Sequence, residues 1–128
     1  MLDADAFHDI GYEKLNFKAV MEWDGYYRGV IVCCSCPPSD NGEKNGDDSG
    51  SPDFLSRFFG PKAGINEDPV TGTAHCVLGP YFSQKLKSEK VVGKQTSERG
   101  GIVECLVTGE KVRLTGTAVT TISGTLWL

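Results

Sequence analysis

Residues 54–86 read FLSRFFGPKAGINEDPVTGTAHCVLGPYFSQKL, and the order of signals along them decides the fold. The apolar run at 54–59 predicts a strand. A loop bearing Gly60 and Gly64 follows, then the octapeptide DPVTGTAH at 68–75, then a helix. Helical periodicity runs from about residue 73 to residue 87. Ala74, Val77, Leu78, Tyr81, Phe82, Lys85 and Leu86 fall over roughly half of the circumference at about 100° per residue. So broad an apolar arc predicts a helix largely enclosed by the rest of the chain. Pro80 inside it removes a hydrogen bond and crowds the carbonyl of Cys76, so Gly79-Pro80 predicts a kink.

The start of that helix carries the chemistry. Asp68 is held by the following Pro69, Thr71 supplies a hydroxyl, and Gly72 lets backbone come close to a neighbour. The first-turn N–H groups of a helix are unpaired and sit at the positive end of its dipole, which suits a carboxylate or phosphate. Gly72, Thr73 and Ala74 are the donors in question. The same residues also suit simple capping, in which Asp68 or Thr71 satisfies the helix N-terminus for about 1 kcal/mol. Composition alone leaves both readings open. Glu67 is a tempting second carboxylate for acid-base work. Neighbours in an extended segment point to opposite sides, however, so Glu67 is expected to be structural or exposed.

Outward from this stretch, 128 residues with 39% hydrophobic content suit one domain. Thirteen basic against 17 acidic residues give a net charge of −4, with no basic run. That balance argues against nucleic acid and anionic membrane as partners. No apolar run approaches the roughly 20 residues needed to span a bilayer. The acidic start MLDADAFHDIGY lacks the apolar centre of a secretory signal. Five cysteines (Cys33, Cys34, Cys36, Cys76, Cys105) leave one over in any disulfide scheme, so a reducing cytoplasm is expected. Cys33-Cys34-x-Cys36 lacks zinc-ligand spacing, and buried thiols are expected rather than a metal.

Residues 1–13 read as a tail or linker remnant and 14–128 as the domain. Leu15, Phe17, Ala19, Val20 and Met21 mark a short amphipathic helix ending before Asp24-Gly25. Residues 26–36 (YYRGVIVCCSC) predict a strand. Residues 37–53 (PPSDNGEKNGDDSGSPD) have almost no apolar side chain and predict a mobile loop; their acids fail calcium-loop spacing. Residues 87–98 read as a polar connection around Val91-Val92. A strand at 102–107 leads into Thr108-Gly109-Glu110-Lys111, a type II′ hairpin signal, with the return strand at 111–115. A last strand is expected at 118–123. The tally is an α+β fold, a curved and mostly antiparallel sheet wrapped around one central helix.

The run RFFGPKAGINEDPVTGTAHCVLGPYFSQKL, with RGGIVECLV and the C-terminal GTAV and SGTL, resembles the C-terminal half of the PhzF family, the phenazine-biosynthesis-like isomerases. DPVTGTAH is close to that family's DPVTGSAH, with Thr73 where serine is usual. The resemblance covers residues 15–128 and implies half of a diaminopimelate-epimerase-like fold. It further implies a cofactor-free isomerase moving a proton on a small carboxylate-bearing metabolite. Asp68 and Thr73 would be its catalytic residues, and Gly72, Thr73 and Ala74 would bind the substrate. Family members pair two similar halves across a cleft, and the opposing half carries the catalytic glutamate. The chain is therefore expected to be weak or inactive alone, completed by a complementary N-terminal half or by a second copy in a homodimer. The alternative is a non-catalytic interaction module that keeps the fold.

Overall fold

The computed structural model describes residues 6–7, 10–11, 14–25, 27–36 and 51–127. A short helix α1 (Phe17–Glu22) is followed by β1 (Val30–Ser35) and β2 (Phe54–Gly60). A 3-10 turn (Pro61–Ala63), β3 (Ile65–Asp68) and the long helix α2 (Gly72–Leu86) come next. The hairpin-forming end consists of β4 (Lys90–Gln95), β5 (Gly101–Thr108) and β6 (Lys111–Thr115). The six-stranded sheet runs β1-β2-β4-β5-β6, with β3 paired to β2 off that path. Only β2 and β4 run parallel; β1–β2, β2–β3, β4–β5 and β5–β6 are antiparallel.

The strand and helix patterns mesh on one face of the sheet. Phe54, Val91, Val103 and Cys105 meet Leu78 and Phe82 of α2 to form the core. Phe54 and Phe82 stack with centroids 4.2 Å apart and planes 1° from parallel. Two glycines permit this approach. A Cβ on Gly93 would lie 2.4 Å from the Phe54 ring, and one on Gly79 would lie 3.0 Å from the Cys105 Cβ. On the other face of the sheet, Phe17 of α1 packs against Phe59 at 6.1 Å.

The expected short helix and the expected hairpin turn are both present. Asn16 caps α1 by accepting from the Ala19 N–H at 2.9 Å. The β5–β6 register closes at Thr108↔Lys111. Gly109 has φ +58° and Glu110 is not left-handed, which is the type II′ turn. Of residues 1–13, Phe7 is buried and the Ile10 carbonyl accepts from Arg57. Positions 37–50 of the expected mobile loop lie outside the described residues.

Three expectations are corrected. Residues 90–95 form not a connection but β4, hydrogen-bonded between β2 and β5. Its weak β-forming sequence is overridden by burial of Val91, Gly93 and Gln95 on the helix side. The expected strand at 118–123 is absent among the described residues. A strand needs a partner, and Val119 and Ile122 instead stand 86% and 89% exposed. The helix is not largely enclosed. It contacts β4, β5 and β6, leaving Val77 and Tyr81 exposed on its outer side. Pro80 lies on that outer side too, and α2 runs on through it from Gly72 to Leu86.

Of the grouped thiols, Cys34 is buried while Cys33 and Cys36 are only half-buried, and no disulfide forms among the described residues. No helix of the described residues is long and apolar enough to cross a membrane.

Candidate active site

The antiparallel pairing of β2 and β3 sets Asp68 opposite Phe58. Alternation along β3 then sends Glu67 to the other face. There Glu67 accepts from Arg57 Nε at 2.7 Å and Nη2 at 3.0 Å, and its side chain is only 2% exposed. The guanidinium also lies 5.0 Å over the Phe59 ring. Glu67 is thus committed to a buried ion pair and is not a second carboxylate beside Asp68.

At the other end of the Asp68-Pro69 turn, every polar group of Thr71 is taken. Its N–H donates to Gln95 Oε1 at 2.8 Å. Its carbonyl accepts from the His75 N–H at 3.3 Å and from the His75 ring Nδ1 at 2.8 Å. Its hydroxyl accepts from Gln95 Nε2 at 3.1 Å and donates to Asp68 Oδ2 at 2.5 Å. Gln95 Nε2 also donates to the Asp68 carbonyl at 2.6 Å. Gln95 and His75 are both fully buried. Neither stood out in the sequence: Gln95 sits in an unremarkable KVVGKQ, and only its register beside β2 brings it under the turn.

Thr71 is the N-cap residue of α2, yet its side chain makes no capping bond to the helix. The hydroxyl serves Asp68 instead. The first-turn N–H groups of Gly72, Thr73 and Ala74 therefore remain without a side-chain cap, next to a half-buried carboxylate. Gly72 and Thr73 are exposed, while the Ala74 side chain packs inward. The sequence-expected residues come together at one helix end. A neighbouring cavity of about 390 Å³ lies beyond the turn, lined by Glu67, Pro69, Ser97, Glu98 and Arg99. Asp68 is not among its lining residues.

Burial acts on two side chains around this site. It holds the His75 imidazole below its ordinary 6.5, partly offset by the bond to the Thr71 carbonyl. It lifts the Cys105 thiol from 9.0 to about 11, with the nearby Cys76 and Glu104 adding to the rise. The unfolded chain takes up the histidine proton first as pH falls through 6.5, so stability is lost on the acid side. The unfolded thiol ionises first as pH rises above 9.0, so stability is also lost up to about 11. Denaturant midpoints measured against pH are expected to plateau between these limits. Cys105→Ala should flatten most of the alkaline limb, Cys33 and Cys36 supplying the rest since burial raises them too. The His75 ring resonances should stay in their neutral positions as pH falls through 6.5.

Fold and site define a class: an α+β domain whose mostly antiparallel sheet packs on one long helix, with an acid beside that helix's N-terminus, which has no side-chain cap. Residues 29–124 match the model of the PhzC-PhzF family, phenazine biosynthesis-like protein, and the chain belongs to that family. An uncharacterised isomerase of Pseudomonas aeruginosa is 50% identical over 76 residues, 59% of this chain and 29% of the relative. Phenazine biosynthesis-like domain-containing protein 1 of Mus musculus is 38% identical over 116 residues, 88% of this chain and 38% of the relative. A PhzF-family crystal structure from Enterococcus faecalis superposes with TM-score 0.67 at 34% identity, over 92% of this chain and 40% of that one. A PhzC/PhzF-type structure from Clostridium difficile gives TM-score 0.69 at 31% identity, over 100% of this chain and 43% of that one. The chain thus spans well under half the length of these relatives.

Proposed function

We propose that this chain forms the C-terminal half of a PhzF-like isomerase, which moves a proton on a small carboxylate-bearing substrate without a cofactor. Asp68 acts as an acid-base group or orients the substrate. Thr73, with its hydroxyl and N–H, and the N–H groups of Gly72 and Ala74 hold the substrate's anionic part. The observation that supports this reading most is the diversion of the Thr71 hydroxyl to Asp68, which leaves the helix donors uncapped at the acid. Proton transfer at carbon calls for a carboxyl shielded from water. The chain spans only 38% of the Mus musculus relative, so alone it is expected to be weak or inactive until a complementary N-terminal half, or a second copy, covers the acid.

A second reading, a non-catalytic interaction module, is favoured by the exposed Val77, Tyr81, Val119, Ile122, Leu126 and Trp127. Titrating ¹⁵N-labelled chain with acetate, then with cyclic and α-amino carboxylic acids, should shift the Gly72, Thr73 and Ala74 amides before any others. Solvent deuterium should enter the bound acids slowly and not at all with Asp68→Asn. No shift at those amides removes the anion cradle, and binding without deuterium incorporation favours an incomplete half or the interaction module.

A further inference from the structure

Gln95 lies 27 residues from Asp68 in sequence, yet it reaches the acid through one intermediate hydroxyl. A threonine hydroxyl has a single proton. An amide NH₂ can only donate, so when Gln95 Nε2 supplies a hydrogen to Thr71 Oγ1, the hydroxyl's own proton must go elsewhere. The acceptor in reach is Asp68 Oδ2 at 2.5 Å. The direction of the chain is thereby set: Gln95 amide to Thr71 hydroxyl to Asp68 carboxylate. The orientation of the amide is set in turn, because its Oε1 accepts from the Thr71 N–H and its Nε2 donates to the Asp68 carbonyl. Reversing the amide would oppose oxygen to oxygen and N–H to N–H.

We propose that Gln95 and Thr71 are positioning residues that pin Asp68 through Oδ2 and so leave Oδ1 as the oxygen that takes part in proton transfer. The inference rests on the reading of Asp68 as an acid-base group, but the geometry it asserts can be measured without any turnover. Burial supports it: Gln95 is 0% and Thr71 7% exposed, so water does not compete for the bonds.

The test is an NMR comparison of the labelled full chain with Thr71→Val, Thr71→Ser and Gln95→Leu. Valine matches threonine in shape and keeps the Thr71 N–H bond to Gln95, whereas serine restores the hydroxyl. In the wild type and in Thr71→Ser, the Asp68 Hα–Hβ couplings should report one χ1 rotamer, and the Gln95 NH₂ protons should exchange slowly. In Thr71→Val the couplings should average while the Gly72–Leu86 helix amides keep their dispersion. Averaged couplings in the wild type, or a single rotamer kept in Thr71→Val, would overturn the proposal, and the wild-type measurement decides even if a variant does not fold. Where deuterium incorporation is seen, Thr71→Val should slow it roughly 10- to 100-fold, as misplacement of a catalytic group does. Binding of acetate at the Gly72, Thr73 and Ala74 amides should change by less than about threefold under the same principle of separate binding and chemical steps. An Asp68→Asn chain that still incorporates deuterium sinks the acid-base reading and leaves the rotamer result standing on its own.

Discussion

Phe82→Ala is expected to cost about 3–5 kcal/mol, a large part of the roughly 5–15 kcal/mol that holds a small domain folded. Phe82 is completely buried, stacks on Phe54 from the sheet, and receives the edge of Tyr81 at 5.0 Å. It is the main side chain by which α2 grips β2 across the core. The flat stack leaves no neighbour free to swing into the hole, because Phe54 is itself wedged over the bare Cα of Gly93. A urea midpoint lower by about 2 M is the expected reading, given slopes of about 1–3 kcal/mol per molar. Phe82→Leu, which keeps most of the volume, should lose less than half as much. A loss under about 1 kcal/mol for the alanine variant would show that the stack is not the centre of the core.

Glu67→Ala is expected to be comparably damaging. Glu67 and Arg57 have side chains 2% and 11% exposed, and removing one partner of a buried pair strands the other charge at about 3–5 kcal/mol. Part of the Arg57 cation is satisfied by the Ile10 carbonyl and the Phe59 ring, which sets the loss toward the lower end. Replacing both by leucine should recover much of the stability, since the desolvation penalty disappears with both charges. A double-mutant cycle on thermal or urea unfolding reads the coupling. Additive single effects would mean that the two groups act independently, contrary to the 2.7 Å contact.

These two sites also show what the residues disclosed and what they withheld. The apolar arc of 73–87 and the β-branched run of β1 announce their elements because each carries its own period, and the Thr108-Gly109 turn carries its own geometry. Asp68, Gly72 and Thr73 could be singled out because their chemistry is local to a helix start. Glu67 could be set aside because a strand alternates. β4 could not be read, since KVVGKQ becomes a strand only when β2 and β5 supply hydrogen bonds on both sides. Gln95 was hidden for the same reason: its task depends on a parallel register, Ser56↔Gln95, that no local pattern encodes. The expected strand at 118–123 has the composition of a strand but finds no partner strand among the described residues.

The exposure of that segment has an optical consequence. The chain has two tryptophans, Trp23 and Trp127, and they are 61% and 90% exposed. Indole emission should therefore look hydrated in the folded chain and change little when the core melts. Anything that comes to lie over residues 117–127 would instead move Trp127 out of water and shift its emission to the blue, making one native side chain a label-free gauge of whether a partner covers that segment.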